Sequence, residues 1–422
     1  MNLTPEQEEL GRRNFLKALA GTPALAALGA AAAFKGPLRG GPVRVGFLGV
    51  GGQGRALLRN TDAAFAEVRA LCDVNPRHLE AADEILRTAN KPPARHYQDW
   101  KEMLQKEDIE AVVMAPPLFL HAELASGCLE AGKHVLCEKM MAWDIPGCRR
   151  MAEAEKKSGR LLEIGYQRFY NPVYQAAHDG IIKAGVLGDV YHARLAWHRN
   201  GNWRRQEDPP PDFDPTRWGY PSFEHLINWR LYWKYSKGLL AELASHQVNI
   251  ANWFFDAIPE AVSGTGGVYR FKDGREVEDH LYATFEYPGG RTVVFSTIES
   301  NAFDDYYEMF MGTKGTLILR REVDAMLFEE GGEGRTNVEV TPKIGAALES
   351  SETKPGSTGA RGAGAVSTVE RPASYRLEIS EFCAAVRTGR PLRCGPHKAM
   401  GSAIACLTAH EAVQTKSRVV LT

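Results

Sequence analysis

The chain has 422 residues, 44% hydrophobic and 24% charged, with a formal net charge of −1. That size and composition suit a globular protein of two or three domains, and the near-neutral balance leaves no basic footprint for nucleic acid. The seven cysteines form no CxxC pair, so no zinc or dithiol site is expected; their odd number speaks against a complete disulfide framework and for buried free thiols.

The N-terminus reads as an address. Arg12-Arg13-Asn14-Phe15-Leu16-Lys17 precedes a mild, alanine-rich run from Ala18 to Phe34. Paired arginines before a weakly apolar stretch resemble a twin-arginine export signal, with Ala31-Ala32-Ala33 as the small residues before a cleavage site. Gly11 stands where Ser or Thr is usual, and a short amphipathic arm is the alternative. Residues 1–34 are therefore assigned to the signal and 35–42 to a linker, with a periplasmic or otherwise exported location and the twin-arginine machinery as a partner. Pro23 and several glycines interrupt the stretch, and no other run reaches membrane-spanning length, so no stable membrane span is expected.

Val43–Leu48 then runs as a buried strand into Gly49-Val50-Gly51-Gly52-Gln53-Gly54. Gly49 permits a tight turn, Gly51 lets backbone approach a pyrophosphate, and Gly54 lets the following helix pack close to the sheet. Such a helix start offers free N–H groups and a positive dipole end to phosphates. A glycine turn alone is weak, but Val68–Cys72 reads as a second strand and Asp73 follows where a ribose-binding acid belongs. Asp73 would repel a 2′-phosphate, which favours NAD over NADP; Arg77 either softens that preference or is a solvated helix-start residue.

Helix patterns follow over Pro76–Asn90, Trp100–Lys106, His121–Ala131 and Ile145–Ser158, alternating with strands at Ala111–Ala115, His134–Cys137 and Leu161–Ile164. Alternating β and α segments with short loops predict a doubly wound parallel sheet over residues 43–167, with ligands at the carboxyl ends of its strands. From residue 168 to 422 the texture changes. Strands are expected at Val190–Trp197, Val262–Phe271, His280–Tyr287, Thr292–Glu299, Tyr307–Met311 and Thr316–Leu319. Hairpin turns at Pro288-Gly289-Gly290 and Gly312–Gly315 predict a mostly antiparallel open sheet, whose free face is a natural surface for a homo-oligomer. Residues 331–372 read as a long irregular loop, and Tyr375–Arg387 and Lys398–Thr415 as helices. The fold class is thus α/β, with an N-terminal Rossmann sheet and a C-terminal α+β domain.

The candidate chemistry falls where the two halves meet. Lys139 follows a strand, where partial burial and a neighbouring cationic ring would lower its pKa toward proton-transfer range; taken alone, a lysine there is more often a solvated charge. On a helix, Glu242 and His246 share one face, so a carboxylate there orients an imidazole, and Asn249 and Trp253 extend the stripe; a core helix with a satisfied histidine is the alternative. The segment Trp197–Trp233 is dense in aromatics and arginines, as a sugar-binding surface is, although about half of such rings are expected to be structural.

Gly49–Gly54, Ala115-Pro116-Pro117 with His121, the run Ala131-Gly132-Lys133-His134-Val135-Leu136-Cys137-Glu138-Lys139, and Glu242 with His246 together resemble the Gfo/Idh/MocA oxidoreductases, from about residue 43 to the end of the chain. The resemblance implies that Lys139 and His246 are the catalytic pair, with Glu242 in the place of the family's aspartate. It implies an NAD site formed by Gly49, Gly51, Gly52, Gln53, Gly54, Asp73, Pro116, His121, Glu138 and Gln167. Arg168, Trp203, Asn228, Trp229, Arg230 and Asn249 are the candidates for the substrate. Met140 stands where the family has proline, and Glu242 is one methylene longer than aspartate. The expected activity is hydride transfer between NAD and a sugar, polyol or related cyclic alcohol, with NADP the lesser candidate. A redox-neutral glycosidase and a noncatalytic sugar-binding relative are the other readings. Because free NAD is expected to be scarce outside the cytoplasm, export would require a tightly retained cofactor.

Overall fold

The computed structural model describes residues 3–25, 38–330 and 371–421. The expected signal-peptide cleavage region, part of the linker, and the irregular loop as far as residue 370 lie outside the described residues.

The first layer is a six-stranded parallel sheet with strand order β3-β2-β1-β4-β5-β6. Its strands are β1 (Val43–Leu48), β2 (Ala66–Cys72), β3 (Arg95–Tyr97), β4 (Ala111–Met114), β5 (His134–Glu138) and β6 (Leu162–Gly165). Val43, Val45 and Phe47 belong to one buried cluster and Leu48 to another. Both faces of β1 are therefore covered, which is why the strand reads as an apolar run rather than an alternation. Strand order reverses between β1 and β4, and the cleft opens there, at the carboxyl ends. The short β3 had no pattern strong enough to announce it.

The second domain holds an eight-stranded sheet of order β13-β12-β11-β7-β10-β9-β8-β14. It contains β7 (Val190–His198), β8 (Ala261–Gly267), β9 (His280–Tyr287), β10 (Arg291–Ile298), β11 (Tyr306–Gly312), β12 (Gly315–Arg320), β13 (Asp324–Glu329) and β14 (Val419–Val420). All neighbours are antiparallel except β7 and β10. The expected strand Val262–Phe271 ends at Gly267, and β13 and β14 were not foreseen.

Among the helices of the described residues, those that bear on the site and the N-terminus are α1 (Pro5–Leu19), α2 (Gly52–Arg59) after the glycine turn, α3 (Ser245–Phe255) and α4 (Arg371–Thr388). Helix α4 lies in the sequence of the second domain but packs on the first. Ile379, Phe382 and Cys383 join the core around β1. Arg387 grips Glu110 through two hydrogen bonds of 2.6 and 2.8 Å, holding that carboxyl down at about 2.

Helix α1 docks on β13. Thr4 and Gln7 close its start as a reciprocal cap. Phe15 and Leu19 are buried, and a Cβ on Gly11 would lie 2.7 Å from the Phe328 ring. Arg12 pairs with Asp324 at 2.7 Å and Glu8 at 2.9 Å, and Glu8 also meets Arg320 at 2.6 Å. One face of the large sheet carries the main core; the other carries Ala196, Tyr307, Met309, Ile318 and Met326, with Leu3 and Phe328 packed against them. The arginine pair of the N-terminus thus begins inside a packed helix, which the sequence pattern did not announce. Among the described residues, no helix is long and apolar enough to cross a membrane. All seven cysteines are buried free thiols.

Candidate active site

The glycine turn leaves β1 and enters α2. Gly49 has φ +81°, and a Cβ there would sit 2.8 Å from the Ala115 carbonyl carbon. A Cβ on Gly54 would come within 1.9 Å of the Gly49 carbonyl oxygen, so the third glycine permits α2 to close on its own turn. Gly51 and Gly52 face the cleft, with no backbone within 4 Å of a Cβ position. A dinucleotide backbone fits this cradle. Asp73 ends β2 and holds the turn: Val50 N–H donates to its Oδ2 at 2.9 Å, and Asn75 N–H to its Oδ1 at 2.9 Å. His78 Nδ1 lies 3.2 Å from both carboxylate oxygens. These residues open into a cavity of about 370 Å³ walled by Trp100, Pro116, Leu124, Trp218, Tyr220 and Trp229.

A second cavity of about 370 Å³ adjoins it through Gln53, Pro116, Trp229 and Arg230. Here the charged residues gather. Gln53 donates to Glu138 Oε1 at 2.6 Å, and the Lys139 backbone N–H donates to Oε2 at 3.1 Å. Burial raises the Glu138 pKa against the pull of Lys139. Lys139 Nζ donates to the Glu242 carbonyl oxygen at 2.9 Å, and burial lowers its pKa although Glu242 and Glu138 oppose the shift. The Lys139–Met140 peptide is cis. His121 lies beneath, Nδ1 2.9 Å from the Met140 carbonyl and Nε2 3.1 Å from that of Pro116. Burial lowers its pKa, so the neutral ring donates to one of these carbonyls at a time.

Leu240–Ala244 is a π-helical turn that runs into α3, and Glu242 in that turn lines the same cavity as His246. The Glu242 carboxylate accepts from Arg230 Nε at 2.8 Å. Burial works to raise its pKa, but Arg230 and Lys139 outweigh that and hold it low. His246 opens α3 and lines the same cavity, its ring 5.7 Å from Trp197 and 6.2 Å from Tyr166 between centroids.

Several expected contacts fall elsewhere. Gln167 is absent from both cavity walls and faces Glu322 at 3.4 Å. Arg168 is 1% exposed, bound to Glu308 at 2.5 Å and Glu322 at 3.1 Å. A turn of 3-10 helix after β6 (Gln167–Tyr170) carries both residues inward, so they join the second domain to the first rather than meet a ligand. Asn249 likewise turns from the cleft and donates to Ser402 at 2.9 Å. Trp203, Asn228, Trp229 and Arg230 do line the reactive cavity. Asn228 spends its amide on the backbone of Arg205, and Trp203 lies under the Arg199 guanidinium. Sequence reasoning missed Tyr375, which reaches this cavity from α4 across a long gap in the chain. Among the described residues, no cluster of His, Cys, Asp or Glu could hold a metal ion.

Comparison with known proteins agrees with this geometry. Residues 43–166 match the oxidoreductase family's NAD-binding Rossmann fold, and residues 180–421 match its C-terminal alpha/beta domain. Inositol 2-dehydrogenase of Rubrobacter xylanophilus is 28% identical over 65% of this chain and 70% of its own length. A glycosyl hydrolase family 109 protein of Phocaeicola vulgatus is 29% identical over 37% of this chain and 38% of its own. Two solved structures share the fold. The WlbA dehydrogenase of Bordetella pertussis, in complex with NADH and UDP-GlcNAcA, has a TM-score of 0.65 at 19% identity and covers 90% of this chain and 99% of its own. A levoglucosan dehydrogenase, in complex with NADH and L-sorbose, scores 0.67 at 18% identity with the same coverage. A turn built to receive a dinucleotide, a half-buried lysine beside it and the match along both domains lead to one conclusion: the chain is an NAD-binding enzyme and belongs to the Gfo/Idh/MocA oxidoreductase family.

Proposed function

We propose that the protein oxidises a secondary hydroxyl of a sugar, polyol or related cyclic alcohol, or reduces the matching ketone. Lys139 carries this reading: a half-buried lysine facing the reactive cavity, its ammonium held by a backbone carbonyl rather than by a carboxylate. A lysine so placed gives up a proton more readily than a solvated one. When bound, NAD supplies the hydride acceptor. Lys139 and His246 are the groups positioned to hold and move the hydroxyl proton, and Arg230 keeps Glu242 ionised beside them. Trp197, Trp203 and Trp229 offer ring faces to sugar C–H bonds. The Arg12-Arg13 pair supports export, and export supports a retained cofactor, whose reduced form a second, carbonyl-bearing substrate reoxidises in place.

The similarity to a glycosyl hydrolase family 109 protein favours a second reading, redox-neutral cleavage of a glycoside with transient oxidation. One experiment separates the two. The purified protein is analysed for carried nucleotide, then assayed against sugars, inositols and glycosides. Reduction of the bound nucleotide without glycosidic cleavage is the expected result; cleavage with no net reduction would transfer the assignment to the second reading.

A further inference from the structure

The second domain walls the nucleotide half of the cleft with one segment, Trp203 to Arg230, which also lines part of the reactive half. Trp218, Tyr220 and Trp229 from this segment wall the nucleotide half, while Trp203 and Asn228 wall the reactive half. Arg205 lines both. Its Nη2 lies 3.5 Å from the Cβ position of Gly52, the first residue of α2. The neighbouring arginines are all engaged: Arg199 with Glu299, Arg204 with Glu224 and Asp273, Arg230 with Glu242. The Arg205 guanidinium has no ion pair or hydrogen bond with a described residue. Its backbone, by contrast, is fixed on both sides by one buried side chain. Arg205 N–H donates to Asn228 Oδ1 at 2.6 Å, and Asn228 Nδ2 donates to the Arg205 carbonyl at 3.2 Å. A further link runs from Arg77, in the first domain, to the Asp208 carbonyl.

The loop is therefore held while its charged end is left free, over the backbone N–H groups that start α2. Such N–H groups bind phosphate oxygens, and a guanidinium binds two of them at once. We infer that Arg205 is a diphosphate-binding residue supplied by the second domain, which grips the dinucleotide from the side opposite the glycine turn and makes Trp203–Arg230 a strap over the cofactor. The inference rests on NAD binding at the glycine turn and explains the retention proposed above. A bound dinucleotide leaves only after this contact is broken and the strap lifted.

The test uses the full chain freed of nucleotide, with ADP, adenosine and NADH as probes, and the variants Arg205→Ala and Arg205→Lys. Loss of a charge-assisted phosphate contact is expected to weaken ADP and NADH binding about 10-fold or more in Arg205→Ala and to speed NADH release, while adenosine binding is unchanged. Arg205→Lys is expected to recover part of the loss. Unchanged ADP affinity in Arg205→Ala would overturn the inference. So would an equal loss for adenosine and ADP, since Arg205 would then support the cavity rather than the diphosphate. Failure of the unaltered protein to bind either ADP or NADH would overturn nucleotide binding itself, a result distinct from both.

Discussion

The two halves of the cleft enclose equal volumes, about 370 Å³ each, and are built on opposite plans. The nucleotide half is a backbone turn with aromatic and apolar walls, in which Asp73 braces the turn it also serves. The reactive half gathers Glu138, Lys139, Arg230, Glu242 and His246 within one wall. Binding relies chiefly on the backbone of the glycine turn, with Asp73 bracing it from the end of the next strand. Chemistry relies on partly buried charges gathered close enough to set one another's protonation.

Lys139→Ala tests that division most severely. Turnover is expected to fall about 1,000-fold, as for loss of a positioned proton-transfer group, while NADH affinity stays within about threefold of the unaltered protein. A matching loss of affinity would erase the distinction between the halves. Asp73→Ala is the converse. It removes the carboxylate expected to meet the ribose and leaves Val50 N–H without its acceptor, so NADH affinity should drop about 10- to 100-fold. NADP binding should drop less, which a titration of both nucleotides measures.

Glu242→Ala strips Arg230 of its partner in a site where Glu242 is 10% and Arg230 25% exposed by side chain. The expected loss is about 2 kcal/mol of stability, with Glu242→Gln milder, read from denaturant midpoints. The smallest effect lies beyond the cleft. Glu163, on β6, accepts from Tyr170 OH at 2.6 Å and Cys394 N–H at 3.0 Å, and burial raises its pKa to about 7. A folded-state pKa above the unfolded one means the protonated acid favours the fold. That contribution is whole below about pH 4.5 and is lost as pH rises toward 7. Glu163→Gln should flatten the decline of melting temperature across that interval. An unchanged slope would show that other groups set it.

What the sequence disclosed follows the same division. The turn at Gly49–Gly54 was legible because only glycine meets its steric demands. Lys139 was legible because it closes a strand in a characteristic run. Glu242 was legible through its spacing from His246, and the two do line one cavity, but its pairing with Arg230 was not, because the partner lies on a separate segment. Gln167 and Arg168 misled for a related reason. They follow a strand whose end lies near the site, but the next turn carries them into the interdomain core. Arg205 stood among several similar residues, and its distinction is the absence of a partner, which only the folded chain reveals. Tyr375 enters from a helix far along the sequence, where no local pattern marks it.

The docked α1 has a consequence for assembly. The outer sheet face that it covers, around Met309, Ile318 and Met326, is the surface on which the antiparallel sheet invited a second copy. Lifting α1 from the sheet would part Arg12 from Asp324 and Glu8 from Arg320. The same movement would lay bare the apolar side chains beneath it, so the charge pairs of the helix and the cover of the sheet stand or fall together.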